Sequence, residues 1–511
     1  MENGRIKNSA RNILAKLIGQ MVTIVLSFIS RTVFIDAFGR EFLGMNSLFT
    51  EIFTWLSMAD LGFGVALAYS FYKPIAENNE KQISALITFY RQMYTVVALV
   101  VTVLGLSMIP FLDVIINIRQ PIDNLILYYI LALAGLVSSY LFSYKTVILV
   151  ADQKEYIITK IDMVVNLLTT VIQIVFLVCF KNYILYLIIN VVSTFSGNLY
   201  KVAIANKKYP ALRKKAQLTK TEKKHFFENI SSIFIYKISG VMINATDNTI
   251  ISVLLGTAVV GSYANYRLLS GKISGVFTMI FSTLVAGIGN VIVKETAQKR
   301  YEIFKCEQLA GLVLCGIVVP CFVALSNDFV NCWLGYEYII GTNVVVVIGI
   351  NMYISLSFQA LWSYREATGI YQQTKWIMFI CAVINIVLSV ILGKYMGLSG
   401  ILLATFISRI CTYGWYEPII LFKTYFGEKA TSFFKDLIFN FIVVGLLTGL
   451  LLWISDIWTV NRWASLIAKG IVFCAISTGV TFAIYRKNEA VGVVKSKAKK
   501  LFGEIKKCTH I

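Results

Sequence analysis

Long apolar stretches, interrupted by short polar segments, fill almost the whole of this chain. About fourteen of them are each about 20 residues or longer, the length of helix that crosses the hydrocarbon core of a bilayer. They are too long for the alternating strands of about ten residues that build a membrane β-barrel. The pattern therefore predicts an all-α, polytopic membrane protein that leaves no room for a water-soluble domain.

Polar breaks set the boundaries of the predicted transmembrane helices. A basic break at residues 207–225 separates the first six from the eight that follow. The first span follows a short basic head, but it is too long for the apolar core of a signal peptide and lacks a small-residue cleavage site. The predicted spans are 12–37, 42–72, 86–112, 123–150, 156–180, 182–206, 227–255, 258–292, 303–326, 338–364, 371–396, 399–423, 434–457 and 462–485.

Composition and charge add an orientation to this prediction. Hydrophobic residues make up 57% of the chain and charged residues 14%, and the net charge is +20. If the N-terminus is cytoplasmic, about three quarters of the Lys and Arg residues fall in cytoplasmic segments, as the positive-inside rule requires. We therefore expect both termini in the cytoplasm. Because the cations are spread over many loops, anionic lipid is the expected partner and nucleic acid is not.

The two halves of the chain carry related sequences about 217 residues apart. Arg31-Thr32-Val33-Phe34 precedes Gly39 and Gly44, and Asn248-Thr249-Ile250-Ile251 precedes Gly256 and Gly261 at the same spacing. Upstream, Asn12-Ile13 aligns with Asn229-Ile230 at the same offset. Downstream, at slightly different offsets, Pro110 corresponds to Pro320, and Ser143-Tyr144-Lys145 corresponds to Ser363-Tyr364-Arg365. The repeat predicts two pseudo-symmetric six-helix lobes, with two C-terminal helices outside the repeat.

This repeat divides the chain into five predicted parts. They are an N-terminal lobe (1–206), a basic cytoplasmic linker (207–225), a C-terminal lobe (226–425), two extra helices (426–487) and a basic cytoplasmic tail (488–511). Both lobes have an even number of spans, so they insert the same way round, like the parallel repeats of some secondary transporters. A cleft between two such lobes can open to either side, which is the architecture of alternating access.

Ionisable side chains deep within predicted spans are candidates for function, since each costs on the order of 3 kcal/mol on insertion scales. Cations outnumber anions among them, and guanidinium groups bind phosphate through paired hydrogen bonds, so an anionic cargo is predicted. A structural alternative stays open for each position: a cation can extend to the interface, and a buried charge can pair with a neighbour. The predicted headgroup-binding residues are Arg31, Lys237, Arg267, Lys272 and Arg409, and the candidates for ion coupling are Glu51, Asp60 and Asp247.

Patterns for catalysis or metal binding are missing from the sequence. Its two histidines, His225 and His510, lie in the predicted linker and tail, and its nine cysteines are scattered without a C-x-x-C pair. No P-loop motif is present, so ATP is not expected to drive the protein directly. We expect no enzyme activity, no metal site and no bound cofactor.

Several of these motifs resemble those of bacterial polysaccharide flippases of the Wzx type. This family belongs to the MOP superfamily, which also contains the MATE antiporters and the lipid II flippase. The resemblance rests on the basic head leading into Asn12-Ile13, on Arg31 with the turn from Phe38-Gly39 to Leu43-Gly44, and on the string Ala59-Asp60-Leu61-Gly62-Phe63-Gly64. The plan of six, six and two helices extends it over the whole chain.

The resemblance implies a MATE-like fold and a flippase in the bacterial cell membrane. Such a protein moves polyprenyl-pyrophosphate-linked oligosaccharide from the cytoplasmic to the outer leaflet for cell-surface polysaccharide biosynthesis. Its partners would be the bilayer, the lipid-linked glycan and, as further candidates, other polysaccharide assembly proteins, with H⁺ or Na⁺ as the coupling ion. The alternative is an ion-coupled multidrug or small-molecule antiporter of the MATE type. The excess of interior cations and the fourteen spans favour the flippase.

Overall fold

Helices make up the regular structure in the described part of the computed structural model, and no strand occurs there. That part comprises residues 2–60, 79–117, 122–152, 154–210, 238–243, 245–282, 284–460 and 462–486, together with 70–71, 74–75, 77 and 216–219. The prediction of an all-α membrane protein is confirmed.

Fifteen helices of nine residues or more form this part of the chain. Those of the first half are α1 (Glu2–Leu56), α2 (Glu80–Ser107), α3 (Leu125–Ala151), α4 (Glu155–Phe180), α5 (Tyr183–Lys208), α6 (Asp247–Leu255) and α7 (Thr257–Ser282). Those of the second half are α8 (Val285–Lys294), α9 (Ala297–Leu334), α10 (Thr342–Ser357), α11 (Gln359–Thr368), α12 (Tyr371–Cys411), α13 (Tyr413–Leu421), α14 (Thr431–Ile457) and α15 (Trp463–Tyr485).

Among the described residues, ten helical segments are long and apolar enough to cross a membrane, and the bent pair α10–α11, with an angle of 44°, makes an eleventh. Two of the ten are interrupted by a glycine with non-helical backbone angles, Gly39 in α1 and Gly397 in α12. When these breaks are counted, together with α7 and α8 as one span, the helices correspond to the fourteen predicted spans. Large apolar side chains on their outer faces stay exposed, as a lipid-facing surface requires.

The chain divides into two compact units, Met1–Ala264 and Asn265–Ile511, with the boundary inside α7. In the first unit, α3 packs on α2 and α5, and α4 packs on α1 and α5. In the second unit, the long helix α9 is central, because α10, α14 and α15 all pack against it. These two units are defined by contacts between helices, whereas the predicted lobes are defined by the sequence repeat. The lobe boundaries therefore stay predictions.

Gly39 and Gly256, which the sequence repeat pairs, break the chain in the same way. Gly39 has φ 77° and ψ −171°, and Gly256 has φ 98° and ψ 154°, a combination that residues with a Cβ rarely adopt. Each break ends one helix and starts the next at an angle. The repeat therefore extends from the sequence to the backbone conformation at its most distinctive turn.

The helices that begin after these two breaks meet backbone to backbone. A Cβ placed on Gly44 would overlap the carbonyl oxygen of Thr257, and a Cβ placed on Gly261 would overlap the carbonyl oxygen of Arg40. Thr257 follows Gly256 as Arg40 follows Gly39, so the two contacts are the same contact made twice, as across a twofold axis. We call Gly44, Thr257, Gly261 and Arg40 the glycine junction.

Asn117, which follows the short helical turn Leu112–Ile115, reinforces the glycine junction. The carbonyl oxygen of Asn117 accepts a hydrogen bond of 2.9 Å from the N–H of Thr257. The N–H of Asn117 donates to Ser252 Oγ at 3.4 Å, and Ser252 Oγ lies 2.9 Å from Thr257 Oγ1. These bonds satisfy the backbone groups that the break at Gly256 would otherwise leave open in an apolar environment.

An ion pair and a hydrogen bond connect the end of α3, the start of α4 and the end of α5. Lys154 forms an ion pair with Asp152, which also accepts a hydrogen bond from the hydroxyl of Tyr209 just after α5. Burial, followed by the hydrogen bond to Asp152, raises the pKa of Tyr209. The cluster fastens the connection between α3 and α4 to the end of α5, which gives these charges a structural role.

We expect Gly44→Ala and Gly261→Ala each to lower the free energy of unfolding by about 1–3 kcal/mol, because a methyl group would push the two backbones apart. Thermal unfolding of the detergent-solubilised protein measures this. The control is Gly449→Ala in α14, where the Cβ position has no atom within 4 Å. Equal unfolding temperatures for all three variants would show that the close approach does not stabilise the protein.

Candidate substrate and coupling sites

A buried carboxylate on α1 caps the beginning of α6. Glu51 is 3% exposed, and its Oε1 accepts a hydrogen bond of 3.3 Å from the N–H of Asn248, the second residue of α6. Thr246, which precedes α6, makes no capping bond with its own side chain. The N-terminus of a helix carries about half a positive charge, so it stabilises a carboxylate that would otherwise be costly to bury.

A second side chain of α1 holds the other side of the same helix start. Trp55 lies one turn after Glu51, and its Nε1–H donates a hydrogen bond of 2.7 Å to the carbonyl oxygen of Ala245. The bend at Thr246 is thus held by α1 from both sides. Asp247, the first residue of α6, is 7% exposed. Two of the predicted coupling residues, Glu51 and Asp247, therefore lie at the first turn of α6.

Arg31 and Asn248 occupy equivalent positions of the sequence repeat, and both carry a buried polar atom that no hydrogen bond satisfies. Nη1 of Arg31 and Oδ1 of Asn248 have no hydrogen-bond partner among the described residues. The Arg31 guanidinium interacts electrostatically with Tyr186 of α5. Unsatisfied buried polar atoms are costly, so those in a folded protein usually mark a site that water or a ligand completes.

The aromatic residues beside Arg31 pack against one another. The Tyr183 ring lies 5.5 Å from the rings of Phe38 and Phe42 and 4.9 Å from that of Tyr128. Its hydroxyl donates to Asn46 Oδ1 at 3.1 Å. This cluster joins α1 to α3 and α5 and fixes the rotation of α1, and therefore the direction in which Arg31 points.

The second unit contains a group of buried charges where α11, α12 and α13 meet. Arg365 of α11 pairs with Glu417 of α13 at 3.2 Å, with side-chain exposures of 12% and 1%. Arg409, near the end of α12, is 8% exposed, and it interacts electrostatically with Tyr413 together with Arg365 and Glu417. Arg365, Arg409 and Glu417 therefore all lie near Tyr413.

The other predicted site residues differ in what the structure shows. Arg267 is exposed on α7, and Lys272 on the same helix is partly buried. Lys237 lies outside the described residues, and so does the side chain of Asp60, whose backbone ends the 3₁₀ turn Ser57–Asp60. Among the predicted residues, the structure brings Glu51 and Asp247 to the same helix turn; Arg31 stands on α1 and Arg409 belongs to the second unit.

Sequence reasoning missed four of the residues that build these sites. Asn248 and Trp55 are uncharged, although the alignment of Asn248 with Arg31 was a signal for the former. Arg365 and Glu417 lie near predicted span ends, where a charge is normally solvated. Among the described residues, no three His, Cys, Asp or Glu side chains lie close enough together to hold a metal ion.

Glu51→Ala should lower the free energy of unfolding by about 1–3 kcal/mol, since it leaves a buried helix N-terminus without its acceptor. Glu51→Gln keeps an acceptor and should cost less. Hydrogen exchange at the Asn248 amide reports on the cap directly and should speed up in Glu51→Ala. The control is Thr50→Ala, whose hydroxyl bonds only within α1, at 2.9 Å to the carbonyl of Asn46. Unchanged exchange in Glu51→Ala would contradict the capping role.

Solved structures of membrane transporters share this fold. The lipid II flippase MurJ in an inward closed conformation superposes with a TM-score of 0.66 at 14% identity, over 93% of this chain and 99% of that one. An inward-facing multidrug resistance MATE family transporter of the MOP superfamily superposes with a TM-score of 0.54 at 12% identity, over 86% and 98%. A mutant of the Vibrio cholerae MATE transporter VcmN gives 0.55 at 12% identity, over 81% and 95%.

Family membership follows from the sequence itself. No curated protein sequence matches the chain. A family model described as "Polysaccharide biosynthesis protein" matches residues 9–286, which is more than half of the 511 residues. This match confirms that the resemblance identified the polysaccharide biosynthesis family, and the solved structures share the fold that it implied. The chain belongs to the polysaccharide biosynthesis protein family.

Proposed function

We propose that the protein moves polyprenyl-pyrophosphate-linked oligosaccharide units from the cytoplasmic to the outer leaflet by alternating access, for cell-surface polysaccharide biosynthesis. Its family and its fold support a flippase. The observation that carries the choice of substrate is Arg31, a guanidinium on a membrane helix with a buried and unsatisfied Nη1. A phosphate oxygen would supply the acceptor that this atom lacks.

The cargo explains why cations are kept in the membrane despite their cost. A polyprenyl tail can stay in the lipid during transfer, whereas the pyrophosphate and the sugars must be kept out of hydrocarbon. Arg31, Lys237, Arg267, Lys272 and Arg409 are proposed to hold the anionic headgroup. Guanidinium groups suit this task, because their planar donors match two phosphate oxygens at once.

The same substrate implies a location and an orientation. Lipid-linked oligosaccharides are assembled at the cytoplasmic face, so the protein would work in a bacterial plasma membrane. The positive-inside distribution of Lys and Arg supports cytoplasmic termini. In that orientation the glycine junction lies at the outer side, where it would close the path while cargo enters from the cytoplasm.

An ion gradient is the proposed driving force. Glu51 and Asp247 place two carboxylates at the N-terminus of α6, which offers only about half a positive charge. A proton or Na⁺ is proposed to bind at these carboxylates, and its release would change the strength of the bond between Glu51 and Asn248. Asp60 is the third candidate for this role.

We expect Ala substitution at the five cations to abolish export in cells, with Arg31→Ala losing more than Arg31→Lys because lysine cannot hold two oxygens in the same way. Surface polysaccharide in a complemented deletion strain measures export, and membrane abundance of each variant is measured alongside. The control is Lys299→Ala, an exposed cation paired with Glu302 at 2.8 Å. If all five substitutions are silent, the cationic headgroup site does not exist.

Coupling predicts that transport follows an imposed H⁺ or Na⁺ gradient. Proteoliposomes with a fluorescent polyprenyl-pyrophosphate disaccharide test this, and Glu51→Gln and Asp247→Asn should weaken the dependence. Flipping that is insensitive to ion gradients and membrane potential would rule coupling out. Gradient-driven export of cationic dyes without flipping of the lipid would instead establish the MATE-type antiporter.

A further inference from the structure

A buried lysine on α15 donates several hydrogen bonds to groups outside its own helix. Lys469 is the one charged residue within α15, and its side chain is fully buried. Its Nζ donates to Asp328 Oδ2 at 2.7 Å, Ser455 Oγ at 2.8 Å and the carbonyl oxygen of Trp458 at 2.9 Å. Every donor of the ammonium group is satisfied, which offsets the cost of a charge inside the membrane.

These bonds fasten both extra helices to one end of α9. Ser455 belongs to α14, Trp458 follows it directly, and Asp328 belongs to α9. Losing the ammonium would leave the Asp328 carboxylate, which is 25% exposed, without its cation. Removing one member of such a pair costs more than the pair contributes, so the contact depends on both charges.

The neighbouring residue of α9 makes an equally specific contact on another side. Asn327 Oδ1 accepts a hydrogen bond of 2.6 Å from the hydroxyl of Tyr266 on α7. The same hydroxyl accepts a bond of 3.3 Å from the N–H of Ile340, just before α10. Tyr266 is fully buried. Successive residues of a helix point about 100° apart, so the end of α9 binds α15 with one residue and α7 with the next.

The helix held in this way carries a proposed substrate-binding cation. Arg267 directly follows Tyr266 and is exposed, so the anchored tyrosine sets the rotation of α7 and the direction of Arg267. We propose that Lys469 is a positioning residue for transport: through Asp328 and Asn327 it holds Tyr266, and through Tyr266 it orients Arg267. The two helices outside the sequence repeat then take part in cargo binding rather than only enlarging the protein.

The sequence repeat offers a parallel at the other unit. Asn117 corresponds to Asn327 at the separation that relates Pro110 to Pro320. Asn117 also binds the region around the break between α6 and α7, through Thr257 and Ser252. An asparagine that follows the third span of each repeat therefore binds α6 or α7 of the second repeat.

The experiment measures surface polysaccharide per folded protein in a complemented deletion strain, with folded protein quantified by size-exclusion fluorescence. We expect Lys469→Met and Tyr266→Phe each to reduce export about fivefold, and the double variant to be no worse than either alone. Lys469→Arg should retain most export, because it keeps the charge and the donors. The matched control is Tyr485→Phe, which removes a 2.9 Å bond to Asn440 that also joins α15 to α14 but does not reach Asn327.

Several results would overturn the positioning role. Normal export per folded protein in Lys469→Met would contradict it, and so would additive losses in the double variant. An equal loss in Tyr485→Phe would show that export depends on any contact between α14 and α15 and not on Lys469 in particular. The role also depends on the proposed function, and Arg267→Ala separates the two. If Arg267→Ala loses export while Lys469→Met does not, the positioning role fails and the headgroup site stands. If Arg267→Ala exports normally, Arg267 does not bind the headgroup and Lys469 has no cation to position. The headgroup site at Arg267 and the positioning role of Lys469 are then both wrong.

Discussion

The close backbone contact at the glycine junction is the constraint on which the first unit depends. Gly44 and Gly261 allow the helices after the two breaks to meet without side chains between them. That approach brings the next turns of α1 against the start of α6, where Glu51 and Trp55 form their hydrogen bonds. Without it, Glu51 would be a buried carboxylate far from the helix N-terminus that stabilises it.

Charges inside the helices fall into two groups that differ in how they are satisfied. The ammonium group of Lys469 has all its donors satisfied by acceptors on and beside two other helices of the second unit. Arg31 instead retains a buried donor without an acceptor. The membrane makes this difference meaningful, because water cannot easily supply what the protein leaves out. The unsatisfied charge is the better candidate for binding cargo.

Much of the fold was accessible from the sequence, because spans and breaks have strong local signals. Hydrophobic length predicts a transmembrane helix, and the paired Gly39 and Gly256 marked the two turns where the structure repeats its backbone conformation. The sites were less accessible. Which charge pairs with which depends on contacts between helices far apart in sequence, such as Lys469 with Asp328, and hydropathy carries no information about them. Uncharged residues such as Asn248 gave no signal of their own and were missed, although the repeat aligns Asn248 with Arg31.

The proposed flipping of a lipid-linked glycan would give the sites a common purpose: the cations would bind a pyrophosphate, the glycine junction would close one side, and the carboxylates would respond to an ion. The most direct measurement is the leaflet distribution of lipid-linked oligosaccharide in cells that lack this protein. The proposed function predicts that the intermediate accumulates on the cytoplasmic leaflet while its synthesis continues. An unchanged distribution, with normal polysaccharide at the cell surface, would contradict it.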